Sequence, residues 1–144
     1  MVSNFSHLSE HILLCGDNVL TRELASHYIR QGKVCFFLEH EVTRAAILEA
    51  DGFNVVHINP ENPAELSSVN LHKAVSLVSA YDDDARNILV MMTAQSLQDE
   101  IKNPTLALVA RIEQLHNIEK AKRAGATKVI SPLKESAAGL LGSA

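Results

Sequence analysis

The residues best placed to do chemistry gather at one turn. Cys15-Gly16-Asp17-Asn18 follows an apolar run and precedes a helical pattern. A strand-to-helix turn brings unpaired backbone N–H groups and the partial positive charge of a helix N-terminus to one point, which attracts phosphate. The glycine-rich form of such a turn reads G-x-G-x-x-G. Here the run is Gly16-Asp-Asn18-Val-Leu-Thr21, and only the first glycine remains. Asn18 can adopt a left-handed conformation and can cap the helix, but its side chain would crowd a close pyrophosphate. Thr21 replaces the glycine that lets the helix pack tightly on the strand. Two readings stand: a seat for a nucleotide phosphate, suited to a smaller nucleotide more than to a dinucleotide, and a capped turn with no ligand.

Further candidates lie at the ends of later apolar runs. Glu39 follows the second run, about twenty residues past Gly16, where an acid hydrogen-bonds ribose hydroxyls in a dinucleotide fold. An acid just ahead of a helix also serves the helix dipole alone. Ser79-Ala80 ends the fourth run, and small residues there let an adenine ring or a backbone approach. Asp82, Asp83 and Asp84 read as caps for the helix that follows, in preference to a cation site. The seven histidines are scattered without metal-ligand spacing. Cys15 and Cys35 sit in apolar runs and read as buried, reduced thiols. A hydride-transfer enzyme would need an acid–base group such as a Tyr-x-x-x-Lys pair, whereas Tyr28 is followed four residues on by Gly32 and Tyr81 by Ala85.

These candidates need a scaffold, and the chain supplies one. Short apolar runs at His11–Cys15, Val34–Leu38, Asn54–Ile58, Ala74–Val78, Leu106–Val109 and Lys128–Ile130 alternate with helical patterns at Val19–Gln31, Val42–Asp51, Ala64–Ser67, Asp83–Leu97 and Leu115–Ala124. Most runs are continuous rather than alternating, the mark of parallel strands covered on both faces. Gly32, Gly52 and Gly125 each close a helical pattern just before a strand. The predicted fold is α/β: a Rossmann-like doubly wound sheet of six mainly parallel strands with helices on both faces. Asn59-Pro60-Glu61-Asn62-Pro63 reads as a turn. Asp83–Leu97 carries two apolar stripes, Ile88, Leu89 and Met92 against Val90, Ala94 and Leu97. Either one face meets the sheet and the other a partner, or the helix is central and buried.

Composition narrows the role. The 144 residues fit one domain, and a formal charge of −4 argues against a nucleic-acid binder. No apolar run is long enough to span a membrane, and the first ten residues lack the pattern of a signal peptide.

From His11 to about Pro132 the chain resembles the N-lobe of the RCK (regulator of potassium conductance) family. The segments that carry the likeness are His11-Ile-Leu-Leu-Cys-Gly16, Leu38-Glu39, Asp51-Gly-Phe-Asn-Val-Val-His57, the stretch 80–94, Ala110-Arg111, Asn117-Ile-Glu119 and Arg123-Ala-Gly-Ala-Thr-Lys-Val-Ile-Ser-Pro132. The resemblance implies a cytosolic regulatory domain on the cytoplasmic side of the cell membrane. Its partner would be a membrane-embedded potassium channel or transporter subunit, and its assembly a homodimer or higher ring through the 83–97 helix. It implies nucleotide contacts at Gly16, Asp17, Asn18, Glu39, Asn59, Ser79, Ala80 and Arg111. The ligand would be ATP, ADP, AMP or NAD(H). Arg111 could equally pair with a carboxylate. Calcium is disfavoured, because positions that carry acids in some members hold Asn59 and the pair Arg111 and Glu113. The implied boundaries are a linker or tail over 1–10, the N-lobe over 11–131 and the start of a truncated crossover helix over 132–144. A ligand-free assembly module remains the alternative, and an NAD-dependent oxidoreductase the least favoured.

Overall fold

The computed structural model describes residues 8–135 and residue 139. Strands β1 (Ile12–Cys15), β2 (Cys35–Leu38), β3 (Val55–Val56), β4 (Ser76–Ser79), β5 (Ala107–Arg111) and β6 (Lys128–Ile130) form one sheet in the order β3-β2-β1-β4-β5-β6. Every pairing is parallel. The continuous apolar runs follow from this arrangement. Along β1, Leu13 and Cys15 enter one core layer while Ile12 and Leu14 enter the other, and all four are buried.

The helices divide between the two faces. α1 (Val19–Arg30) and α2 (Val42–Ala50) cover one, with Ala25 and Leu48 at the contact. On the other lie α3 (Pro63–Leu66), α4 (Asp84–Ser96), α5 (Gln98–Ile101) and α6 (Ile118–Arg123), through Leu66, Met91, Ile101 and Ala121. Cys15 and Cys35 belong to opposite layers. Burial raises both thiols, Cys35 to about 12, so each stays protonated and behaves as a small apolar side chain.

Two helices differ from expectation. The Leu115–Ala124 pattern splits into a 3-10 turn, Leu115–Asn117, followed by α6. α5, a single turn after Leu97, was not expected. On α4 and its C-cap, Val90, Ala94 and Leu97 are buried, while Leu89 is 43% and Met92 53% exposed. The two stripes are therefore one sheet-facing and one outward, and the alternative of a centrally buried helix is excluded.

Of the segments expected to flank the domain, residues 1–7 and most of 132–144 lie outside the described residues. Residues 8–10 already join the fold: Leu8 is buried, its carbonyl accepts from the Asn70 side chain, and the Glu10 amide donates to Lys73 O at 2.8 Å. Residues 132–135 form one helical turn.

Candidate functional site

The strand order reverses between β1 and β4, and in open α/β sheets ligands bind in the crevice beyond the strand ends at such a point. Gly16 stands there with φ of +96°. A Cβ on Gly16 would lie 2.9 Å from Ala80 O, so the β4 backbone leaves room only for glycine. Asn18 does not take the left-handed conformation. It is extended and caps α1: its Oδ1 accepts from the Thr21 amide at 3.1 Å, and its own amide donates to Thr21 Oγ1 at 3.1 Å. Asn18 Nδ2 donates to Ala80 O, tying the turn to β4. This box satisfies two of the four orphan donors at the helix start. The amides of Val19 and Leu20, by position, have no acceptor within the helix.

A cleft of about 280 Å³ opens beside the turn. It is lined by Gly16, Asp17 and Asn18 from the turn, by Arg44 from the first turn of α2, and by Tyr81, Asp82, Asp83 and Arg86 from the start of α4 and the loop before it. The charges are largely compensated. Arg22 donates from Nε to Asp17 at 2.6 Å and from Nη1 to Asp51 at 2.7 Å, and these hydrogen bonds hold its guanidinium firmly charged. Asp82 accepts from Arg111 at 3.0 Å, and Asp83 caps α4 through the Ala85 amide at 2.9 Å. Arg86 donates from Nε to Glu61 at 2.7 Å and lies over the Tyr81 ring at 3.7 Å. Burial works against the Arg86 charge, and Glu61, Tyr81 and Glu39 together more than offset it. Burial also raises the Tyr81 phenol, which stays protonated.

The family model of the TrkA-N domain matches residues 12–132. The chain belongs to the TrkA-N domain family. Potassium channel protein 1 of Methanocaldococcus jannaschii is 25% identical over 136 residues, covering 92% of this chain and 39% of that protein. The chain thus spans about two fifths of the length of the two Methanocaldococcus jannaschii potassium channel proteins it matches. The TrkA-N domain of the Escherichia coli inner membrane protein ybaL superposes with a TM-score of 0.79 at 20% identity, over 94% of this chain and 97% of that one. The GsuK channel bound to NAD gives a TM-score of 0.76 at 23% identity, over 86% of this chain and 22% of that one. GsuK bound to ADP gives 0.78 at 23%, over 88% and 32%. At these identities the structural likeness establishes the fold, and the family match bears out the RCK resemblance.

In this TrkA-N domain the eight expected site residues divide. Gly16, Asp17 and Asn18 meet at the cleft, with the Ala80 backbone packed against Gly16. Glu39 is only 8% exposed and does not line the cleft; its Oε2 accepts from the Glu41 amide at 3.0 Å. Asn59 turns its own loop, its Oδ1 accepting from the Glu61 amide at 3.0 Å. The Ser79 hydroxyl is buried and donates to Asn87 Oδ1 at 2.9 Å. Arg111 spans Asp82 and Glu113, so its carboxylate-pairing reading describes the structure.

Four residues of the site region had no functional part in the sequence reading. Arg44, Arg86 and Tyr81 line the cleft, and the fully buried Asn87 organises it. Asn87 Oδ1 accepts from the Tyr81 amide at 2.8 Å, while its Nδ2 donates to Tyr81 O at 3.0 Å and Arg111 O at 2.8 Å. One side chain thereby fastens the ends of β4 and β5 to α4. Asp84 makes a second clamp. It accepts from the Glu113 and Gln114 amides at 2.8 and 3.0 Å and from Asn117 Nδ2 at 2.9 Å. Burial opposes ionisation of Asp84, but these bonds keep its carboxyl below the usual range. An asparagine in line with Val90 and Ala94 on the core face of a helix was the available signal for Asn87.

A larger hollow, about 590 Å³, lies along the outer side of α4 against α6. Ile88, Met92 and Ala124 line it, with Lys120 and Arg123 at its edge. Among the described residues no three His, Cys, Asp or Glu side chains gather to hold a metal ion, and no helix is long and apolar enough to cross a membrane.

Proposed function

We propose that this domain is a regulatory sensor of a potassium channel or transporter, binding an adenine nucleotide at the β1–α1 turn and signalling through its assembly. α4 carries the reading. Its N-terminal end supplies Asp83 and Arg86 to the cleft, and two turns on it presents Leu89 and Met92 outward. A ligand that binds one arrangement of a dimer or ring better than another shifts the balance by that difference in affinity. The 83–97 helix, with the α4–α6 hollow, is the assembly surface of this reading. Residues 11–131 are the sensing unit of this reading. The domain works on the cytoplasmic side of the membrane.

The turn suits one phosphate better than a pyrophosphate lying across it. The Val19 and Leu20 amides would meet a phosphate, and the Asn18 side chain occupies the space above the turn by bonding Ala80 O. That favours AMP, ADP or ATP over NAD(H). GsuK has been seen with both ADP and NAD, which supports an adenine nucleotide as the ligand class and does not choose between the two. The role is binding, not catalysis, because the carboxylates lining the cleft already serve as caps or ion-pair partners. A second reading, an assembly module without ligand, draws on the same Asn18–Thr21 box. Thermal-shift titration with AMP, ADP, ATP, NAD and NADH separates the two. A ligand that binds only the folded state must raise Tm. A rise with an adenine mononucleotide is expected, and no rise with any of the five at millimolar concentration would leave the assembly module.

A further inference from the structure

Glu39, the carboxylate suited by position to ribose hydroxyls, does not open on the cleft. In the strand order β3-β2-β1-β4, the contact of Arg86, which follows β4, with Glu61, which follows β3, runs across the ends of β1 and β2, and Glu39 follows β2 directly. The Arg86 guanidinium is held from below by the Tyr81 ring at 3.7 Å and from the side by Glu61 at 2.7 Å. Glu61 reaches α4 from the loop after β3, and that loop is braced: Asn59 Oδ1 holds the Glu61 amide and Thr93 Oγ1 lies 3.5 Å from Glu61 O. Glu39 is close enough for its charge to act on both Arg86 and Tyr81, yet only Arg86 and Tyr81 line the cleft. One arginine of α4 therefore joins the loop after β3 to the loop after β4, at the edge of the cleft that Glu39 does not line.

We propose that Arg86 is a gate: its contact with Tyr81 and Glu61 closes the adenosine half of the cleft, and a nucleotide engages Glu39 only when Arg86 swings out. This rests on the nucleotide reading above. A planar guanidinium stacked on a ring and paired with a carboxylate is a stable arrangement that one rotamer change can undo. Once released, Arg86 is free to meet a phosphate, which it binds well. The gate then reduces affinity by the factor of the open fraction, and opening it in advance returns that affinity.

Adenosine isolates the gate, because it has no phosphate for Arg86 to contact. Binding of adenosine and of ADP to the 144-residue chain is measured by NMR titration for wild type, Glu61→Gln and Arg86→Ala, after circular dichroism shows each variant folded. The gate requires both variants to bind adenosine at least about fivefold more tightly than wild type. It also requires Glu61→Gln, which frees Arg86 without removing it, to gain for ADP. If wild type binds ADP but neither variant gains for adenosine, the gate is wrong and the nucleotide reading stands. If Arg86→Ala fails to fold, Glu61→Gln alone decides by the same criterion. If no variant and no wild type binds either compound, the gate falls together with the nucleotide reading.

Discussion

Individual side chains at the strand ends are already committed to holding the site together. Asn87 is the strongest case. Its truncation to alanine would leave buried groups of Ser79, Tyr81 and Arg111 unpaired, at a cost of about 3 kcal/mol or more. Urea denaturation of Asn87→Ala checks this. Asn18→Gly should lower stability by about 1 kcal/mol, mostly through loss of the Ala80 hydrogen bond and by a few tenths through loss of the cap, while opening the turn to a dinucleotide. NAD titration beside a melting curve would show whether stability and NAD affinity move in opposite directions. His11 gives a pH signature. It is fully buried, one ring nitrogen pairs with Val69 O at 2.9 Å, and Nδ1 has no partner among the described residues. Burial, only partly opposed by the Val69 bond, lowers its pKa from the ordinary 6.5. Protonation therefore favours the unfolded chain. The stabilisation is complete above pH 6.5 and is lost as pH falls below it toward the folded-state pKa. Melting curves between pH 8 and pH 5 should show a steeper acid loss for wild type than for His11→Gln.

At the scale of elements, the pattern of strands and helices was readable because parallel strands with two buried faces leave continuous apolar runs. All six strands lie where such runs stand, and β3 shrinks to two residues because it is the outer strand, paired only with β2. The single-turn α5 left too short a period to register. The turn at Gly16 was legible as local sequence. The gate was not, since Glu61 and Arg86 are 25 residues apart and meet only after the β3–β4 crossover is folded. Glu39 marks a different limit, because sequence position shows which strand end an acid occupies but not whether a neighbour covers it. α4 supplies the test at this scale. Leu89 and Met92 are exposed, so Leu89→Glu with Met92→Glu should change Tm by no more than about 2 °C. The same pair should abolish self-association in sedimentation velocity, and an unchanged sedimentation profile would remove the outer face of α4 from the assembly.

For the whole molecule, the two surfaces of α4 are joined by short, saturated contacts. Asn87 and Asp84 bind the cleft end of α4 to the ends of β4 and β5 and to the loop leading into α6. In the proposed reading these contacts carry a shift at the cleft to the α4–α6 hollow, and so link nucleotide to assembly. By reciprocity, assembly must change nucleotide affinity by the same factor as nucleotide changes assembly. Sedimentation velocity of the 144-residue chain with and without saturating ADP tests that link most directly. The expected result is a shift in the monomer–oligomer distribution with ADP that the Leu89→Glu, Met92→Glu pair eliminates. ADP binding, established by the melting-temperature rise, with an unchanged distribution would contradict it.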